Sequence, residues 1–313
     1  KKKASNFPEV KNPYKPGDIP VPGFLPPLDK IKTELAQYYT SVRRADHITG
    51  AVLEELDKAG LADNTLVMFL SDHGMPLPFA KTQLYHHSTH TPLMIRWPGV
   101  TKAGAVDEAH MVSAVDFLPT VLDIVGTKYP KRLDGRSFLP LLHGKKQSGR
   151  EHIIKEYNEN AGASRDPMRA VQTKRHLYLF NPWSNGKRVF ATATTGTATY
   201  RRMAVLASSD ARLAARLDLY KHRVPEELYD VANDPDCLHN LIDDPKHQAA
   251  LPALHAELEA WMKRTKDPML EVFQKRDNAE FRENYVQKQE EEALSRRKNR
   301  RGKKNRSKPD PAK

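Results

Sequence analysis

A run of five apolar residues, Leu66-Val67-Met68-Phe69-Leu70, stands between Asn64-Thr65 and the polar string Ser71-Asp72-His73-Gly74. A short apolar run bounded by turn-forming residues reads as a buried strand. This one ends on a carboxylate and an imidazole. Ligands of open α/β sheets bind at the carboxyl ends of strands, so Asp72 and His73 occupy the position where chemistry is expected. Lys81 follows after a loop broken by Pro76 and Pro78.

The segments around this strand alternate between helix and strand signals. From about Asp29 to Lys58, apolar residues recur as Leu35, Tyr38, Val42, Ala45, Ile48, Val52 and Leu56. That three-and-four spacing predicts an amphipathic helix, with Gly60 as its stop. Pro92-Leu93-Met94-Ile95-Arg96-Trp97, closed by Pro98-Gly99, is the second strand candidate. A helix is expected from Asp116, read as its N-cap, to Gly126, and a short one from Ser137 to Leu142. Alternation of this kind argues for a parallel sheet covered on both faces. Past residue 150 the texture changes to short strands at Ala170 to Thr173 and His176 to Phe180, then helices at 199–222 and 246–265. Glu227-Leu228-Tyr229-Asp230 should run as a strand into a turn at Asn233-Asp234-Pro235. The expected division is a catalytic-type α/β portion over 1–168, a smaller α+β subdomain over 169–272, and a charged tail over 273–313, helical at most from Gln287 to Leu294.

Composition narrows the function classes. Residues 296–313 carry ten Lys or Arg against one Asp, nine of the twelve net positive charges, so the basic excess is a tail property. Such a block can bind polyanions through counterion release. It interleaves no aromatic residue for base stacking, so specific nucleic-acid binding is not expected and a solvated, disordered tail is. No stretch approaches the roughly 18 apolar residues of a membrane span, and no charged-then-apolar leader opens the chain. The lone Cys237 excludes an internal disulfide.

Several segments resemble, in order, the later part of the sulfatase family's catalytic domain. They are Tyr38-Tyr39-Thr40-Ser41-Val42, Leu61-Ala62-Asp63-Asn64-Thr65-Leu66-Val67, Ser71-Asp72-His73-Gly74, Lys81, Pro92 to Gly99, Asp116-Phe117-Leu118-Pro119-Thr120 and Asp134-Gly135-Arg136-Ser137. Glu227-Leu228-Tyr229-Asp230, with Asp234-Pro235 through Asn240-Leu241, resembles that family's C-terminal signature. Gly74 to Phe79, Pro167-Met168-Arg169 and Ile19 to Phe24 are most similar to its heparan N-sulfatase subgroup. The resemblance implies an alkaline-phosphatase-like fold, with a mostly parallel sheet flanked by helices. It implies hydrolysis of sulfate esters or sulfamates on glycosaminoglycan-type sugars. It also implies a calcium or other divalent ion bound by Asp72 and His73, and Lys81 as the clamp on a sulfate oxygen. A periplasmic, secreted or lysosome-like setting is implied for a full-length parent, and the oligomeric state is left open.

The family's formylglycine nucleophile arises in Cys/Ser-x-Pro-Ser-Arg, and no such string occurs in these residues. Cys237, inside the C-terminal signature, is not expected to take that role. The chain therefore reads as a C-terminal portion that is inactive on its own. His90, Glu159 and Arg169 are candidate substrate contacts, with Asn158 and Asn160 in the same polar loop as Glu159. Arg169 alternatively bridges the subdomains. His86, His87 and His90 have the look of a metal cluster, but Pro92 and the loop composition argue against the helix that would align them. Two other functions stay open at this point: a phosphate or phosphonate ester hydrolase of the same superfamily, and a non-catalytic module that binds polyanions through the tail.

Overall fold

The computed structural model describes residues 9–159, 165–190 and 192–306, with side chains as far as 296. In chain order the described elements are α1 (Asp29–Lys58), β1 (Val67–Leu70), α2 (His86–Thr89), β2 (Leu93–Arg96), α3 (Phe117–Ile124), α4 (Leu139–Leu142), β3 (His152–Glu159), β4 (Arg165–Thr173), β5 (His176–Phe180), α5 (Ala198–Leu206), α6 (Ala211–His222), β6 (Glu226–Asp230), α7 (Leu251–Thr265), α8 (Leu270–Gln274) and α9 (Ala279–Arg306). They fall into two units. One holds the chain up to Met75 with His90–Ile153, and the other holds Pro76–Thr89 with the chain from Ile154 onward. The expected boundary at 168/169 would cut through β4, whose ladder to β5 begins at Arg169↔Phe180. The two units instead divide at Ile153/Ile154, within β3.

In the first unit, α1 has the predicted bounds, and Ile31 and Leu35 are buried. The N-terminal segment covers it there: the Tyr14 N–H donates to Thr40 Oγ1 at 3.0 Å, and the Arg43 guanidinium stacks 3.8 Å from the Tyr14 ring centroid. Further along the same stripe, Val42 and Ile48 are each 45% exposed and Val52 63%. β1 pairs with β2, with Val67 opposite Arg96 and Leu70 opposite Leu93. This pair is antiparallel. Parallel pairing needs a crossover that returns the chain to the strand's starting end. Here the chain leaves and re-enters at one end, where the Ser71 N–H donates to Pro92 O at 3.3 Å.

Two of the sequence motifs lock together in this unit. The carboxylate of Asp116 does not cap α3, as its position suggested, but accepts the Ser113 and Arg136 N–H groups, both at 2.8 Å, and the Arg150 guanidinium. The Phe138 N–H donates to Thr120 Oγ1 at 3.0 Å. A Cβ on Gly135 would lie 1.8 Å from Val115 O, so only glycine fits between the two motifs.

The second unit is built on the sheet ordered β3-β4-β5-β6, in which β4–β5 and β5–β6 are antiparallel. Side chains alternate across it. Val171, Tyr178, Phe180 and Leu228 form one face and pack with Leu254, Leu258 and Met262 of α7 and Val272 and Phe273 of α8. The opposite face carries Gln172 and Glu227, which bond to His86 and Tyr85 of the Pro76–Thr89 segment. The expected helix at 199–222 is two, because Asp210 interrupts it and caps α6 by accepting the Arg212 and Leu213 N–H groups at 2.9 and 3.2 Å. α9 corrects the expectation of disorder from 273. It buries Val286 and Ala293, and its Glu283 and Glu290 pair with Arg188 at 2.7 and 3.0 Å. The last seven residues of the basic tail lie outside the described residues. Among the described residues, no helix is long and apolar enough to cross a membrane.

Candidate functional site

Asp72 and His73 follow β1 directly, in the first unit. The Ser71 hydroxyl donates to His73 O at 2.8 Å, tightening the turn. His73 Nδ1 lies 2.7 Å from Gly74 O, and since that carbonyl can only accept, the ring proton sits on Nδ1. His73 Nε2 stands 3.4 Å from Asp72 Oδ2, close enough for the two atoms to share one cation. The Asp72 side chain is 84% exposed. One carboxylate and one imidazole form a partial donor set. Calcium takes about six to eight oxygen ligands, so the pair fits one side of a divalent-cation shell whose other ligands come from elsewhere.

Lys81 belongs to the second unit and stands on a loop in unusual backbone geometry. Phe79 and Thr82 both have positive φ, 67° and 61°. Each such residue costs about 1–3 kcal/mol and persists only where the surroundings over-determine it. Phe79 is buried against Tyr85 and Tyr220, at ring centroids of 5.6 and 5.2 Å, and the Arg216 guanidinium lies 3.7 Å from its ring centroid. Thr82 Oγ1 is hydrogen-bonded to Thr192 Oγ1. Lys81 is thus held between two anchored residues, and no carboxylate among the described residues pairs with its ammonium.

A buried ion pair supports this loop from below. Glu227, fully buried, accepts from Arg223 Nε at 2.8 Å, Asn181 Nδ2 at 2.8 Å, Tyr85 OH at 2.9 Å and Tyr229 OH at 2.6 Å. Burial and the neighbouring carboxylate hold both phenols protonated, their pKa pushed far above the usual tyrosine range, so they stay donors. A buried carboxylate needs a partnered charge and saturated lone pairs, and this one has both. The Glu227-Leu228-Tyr229-Asp230 string is therefore the piece of β6 that anchors the Lys81 loop.

The other expected contacts divide. Arg169 is only 1% exposed and does not face a substrate: its Nε donates to Asp267 Oδ2 at 2.8 Å, and its Nη1 donates to the carbonyls of Met168 and Tyr157 at 2.8 and 3.2 Å. The guanidinium fork is spent on the fold. Glu159 is on the surface at the end of β3, 3.6 Å from Arg296 Nη1 and 3.9 Å from Arg165 Nε. Asn158 is exposed beside it, and Asn160 lies outside the described residues. His90 is exposed in the first unit. A single helical turn, α2, does form at His86–Thr89 despite Pro92, but His86 Nδ1 faces Gln172 Nε2 at 3.0 Å and His87 Nε2 faces Asp236 Oδ1 at 2.8 Å. Cys237 is buried and its thiol is pushed up to about 12 by burial, so it is no nucleophile. The sequence reading passed over His176, Asp230 and His247, which converge in the second unit. Only knowledge of the β5–β6 register could have brought them together.

These features define an α/β protein with a carboxylate and an imidazole side by side at the end of an apolar strand. A family model described as Sulfatase matches residues 3–127, and one described as N-sulphoglucosamine sulphohydrolase, C-terminal, matches residues 72–185. The chain belongs to the sulfatase family, whose members use a metal ion. It is similar to human N-sulphoglucosamine sulphohydrolase, with 33% identity over 82% of this chain and 53% of that protein. It is also similar to an ulvan-active sulfatase of Formosa agariphila, with 32% identity over 77% of this chain and 40% of that one. The chain thus spans about half the length of the curated relatives it matches. A solved 2-O GAG sulfatase superposes with a TM-score of 0.56 at 23% identity, over 76% of this chain and 44% of that one. The shared fold is alkaline-phosphatase-like.

Proposed function

We propose that this chain is part of a sulfatase that hydrolyses sulfate esters or N-sulfo groups on glycosaminoglycan-type sugars. The observation that carries this reading is the polar end of β1. An exposed carboxylate and an imidazole stand together there, with Nε2 3.4 Å from Asp72 Oδ2, in a region that both family models match. The names of the relatives, one acting on N-sulphoglucosamine and one on ulvan, support a sulfated sugar as substrate. Asp72 and His73 hold one side of the metal ion, calcium by family resemblance, which when bound neutralises charge on the sulfuryl oxygens during displacement. Lys81 donates from its ammonium to a sulfate oxygen as a compact point charge, and the anchored loop keeps it from pairing with a carboxylate of its own unit. The formylglycine nucleophile has no matching string here, so turnover by the whole protein draws on residues outside this chain.

In the intact protein, Asp72→Asn should abolish both sulfate release from N- and O-sulfated glucosamine and retention of the metal. Lys81→Ala should lower kcat/KM by about 10²–10³ with metal content unchanged, the scale of losing one charge-stabilising donor. Wild-type rates in both variants, or equal turnover of a phosphonate monoester by the unaltered protein, would overturn the reading.

A further inference from the structure

We infer that the second unit carries a separate transition-metal site, formed by His176, Asp230 and His247, which takes zinc. One ligand atom from each of the three lies within 4.8 Å of the others. Their convergence is built into the fold. His176 and Asp230 are direct partners across the β5–β6 ladder, on the face that α7 covers, and His247 ends the turn that leads into α7, with its N–H donating to Asp244 O at 3.0 Å. The rings of His176 and His247 meet edge to face, with centroids 5.9 Å apart.

Two atoms here point to a ligand. His176 Nε2 and Asp230 Oδ1 are both buried and have no hydrogen-bond partner, although Asp230 as a whole is only 5% exposed. Leaving such groups unsatisfied is costly, and a cation bound by both removes the cost. The second oxygen of Asp230 is oriented as metal-binding carboxylates are: Oδ2 accepts from Arg175 Nε at 3.1 Å and Asn233 Nδ2 at 3.0 Å. Arg175 is a cation that opposes the site, and its side chain is 61% exposed.

Two imidazoles and one carboxylate suit zinc and its neighbours rather than calcium, which prefers oxygen alone. Three protein ligands leave the fourth position to water. Bound there, the metal would tie the start of β5 and the end of β6 to the entry of α7. Asp230 is also the last residue of the Glu227-Leu228-Tyr229-Asp230 string, but none of the three has a role in the metal or sulfate contacts proposed at Asp72, His73 and Lys81, and the zinc site is tested independently of them.

The test uses the full chain, freed of metal by chelation and titrated with Co2+ as a visible probe for zinc. The expected result is one equivalent of tetrahedral Co2+ absorption, displaced by Zn2+ but not by excess Ca2+, and a thermal midpoint that rises with Zn2+ concentration. His247→Ala and His176→Gln should each weaken binding at least tenfold with near-ultraviolet circular dichroism unchanged, while Arg175→Gln should tighten it. His247 lies on a half-buried turn, so its variant is the one expected to fold without loss. Absence of the band at millimolar Co2+, displacement by Ca2+, or wild-type affinity in His247→Ala would overturn the assignment; the last would place the metal on other histidines.

Discussion

Lys155 shows how far one buried charge governs the second unit. It stands on β3, 6% exposed, with Nζ donating to Leu84 O at 3.3 Å and Gln172 Oε1 at 2.5 Å. Both partners are neutral acceptors. Burial therefore dominates and lowers its pKa from 10.5 to about 7. Between pH 7 and 10.5 the unfolded chain binds this proton and the folded one does not, so stability rises with pH across that window. The full swing corresponds to about 5 kcal/mol. Denaturant titrations at several pH values should show this rise in the wild type. In Lys155→Met it should vanish, with higher stability at pH 7; an unchanged slope would mean that the ammonium stays charged in the folded protein. Arg169 and Glu227 make the complementary point. In sequence Arg169 reads as a substrate contact or a bridge and Glu227 as part of a strand; each is a buried charge with its partners in place.

At the scale of elements, the sequence motifs acquire physical reasons. Asp116-Phe117-Leu118-Pro119-Thr120 and Asp134-Gly135-Arg136-Ser137 stand apart along the chain, but Asp116 accepts from Arg136 N–H and the space for a Gly135 side chain is filled by Val115 O. Gly135→Ala forces a backbone shift and should destabilise the protein by about 3 kcal/mol, read as a lowered denaturant midpoint at constant m. A midpoint unchanged from wild type would show that the α3–α4 connection yields freely. Periodicity predicted α1 to its ends at Asp29 and Lys58 and found β1, β2 and β5, because those patterns are local. It missed β3, whose charged residues Lys155, Glu156 and Glu159 hide the strand, and gave only Gln287 to Leu294 of α9, which packs through few apolar side chains.

At the scale of the whole molecule, α1 keeps an apolar stripe through Val42, Ile48 and Val52 that the described residues leave 45–63% exposed, in a chain matching about half of its relatives' length. A stripe of this kind binds hydrophobic probes and promotes self-association. The chain by itself should enhance anilinonaphthalene sulfonate fluorescence, and the triple change Val42→Ser, Ile48→Ser, Val52→Ser should remove most of that signal. Equal fluorescence from the triple variant would place the binding surface elsewhere.

The candidate site was legible in the sequence where its residues are neighbours: Ser71-Asp72-His73-Gly74 after an apolar run announces a polar strand end without any tertiary information. The α/β class, the bounds of α1 and the confinement of positive charge to the tail were equally readable, since helix period, turn chemistry and charge are properties of adjacent residues. Only the tertiary structure decided that β1 and β2 run antiparallel, that Arg169 is spent on Asp267, that Glu227 anchors the Lys81 loop, and that His176, Asp230 and His247 meet. Each depends on register or burial, which are set by packing between segments far apart in the chain.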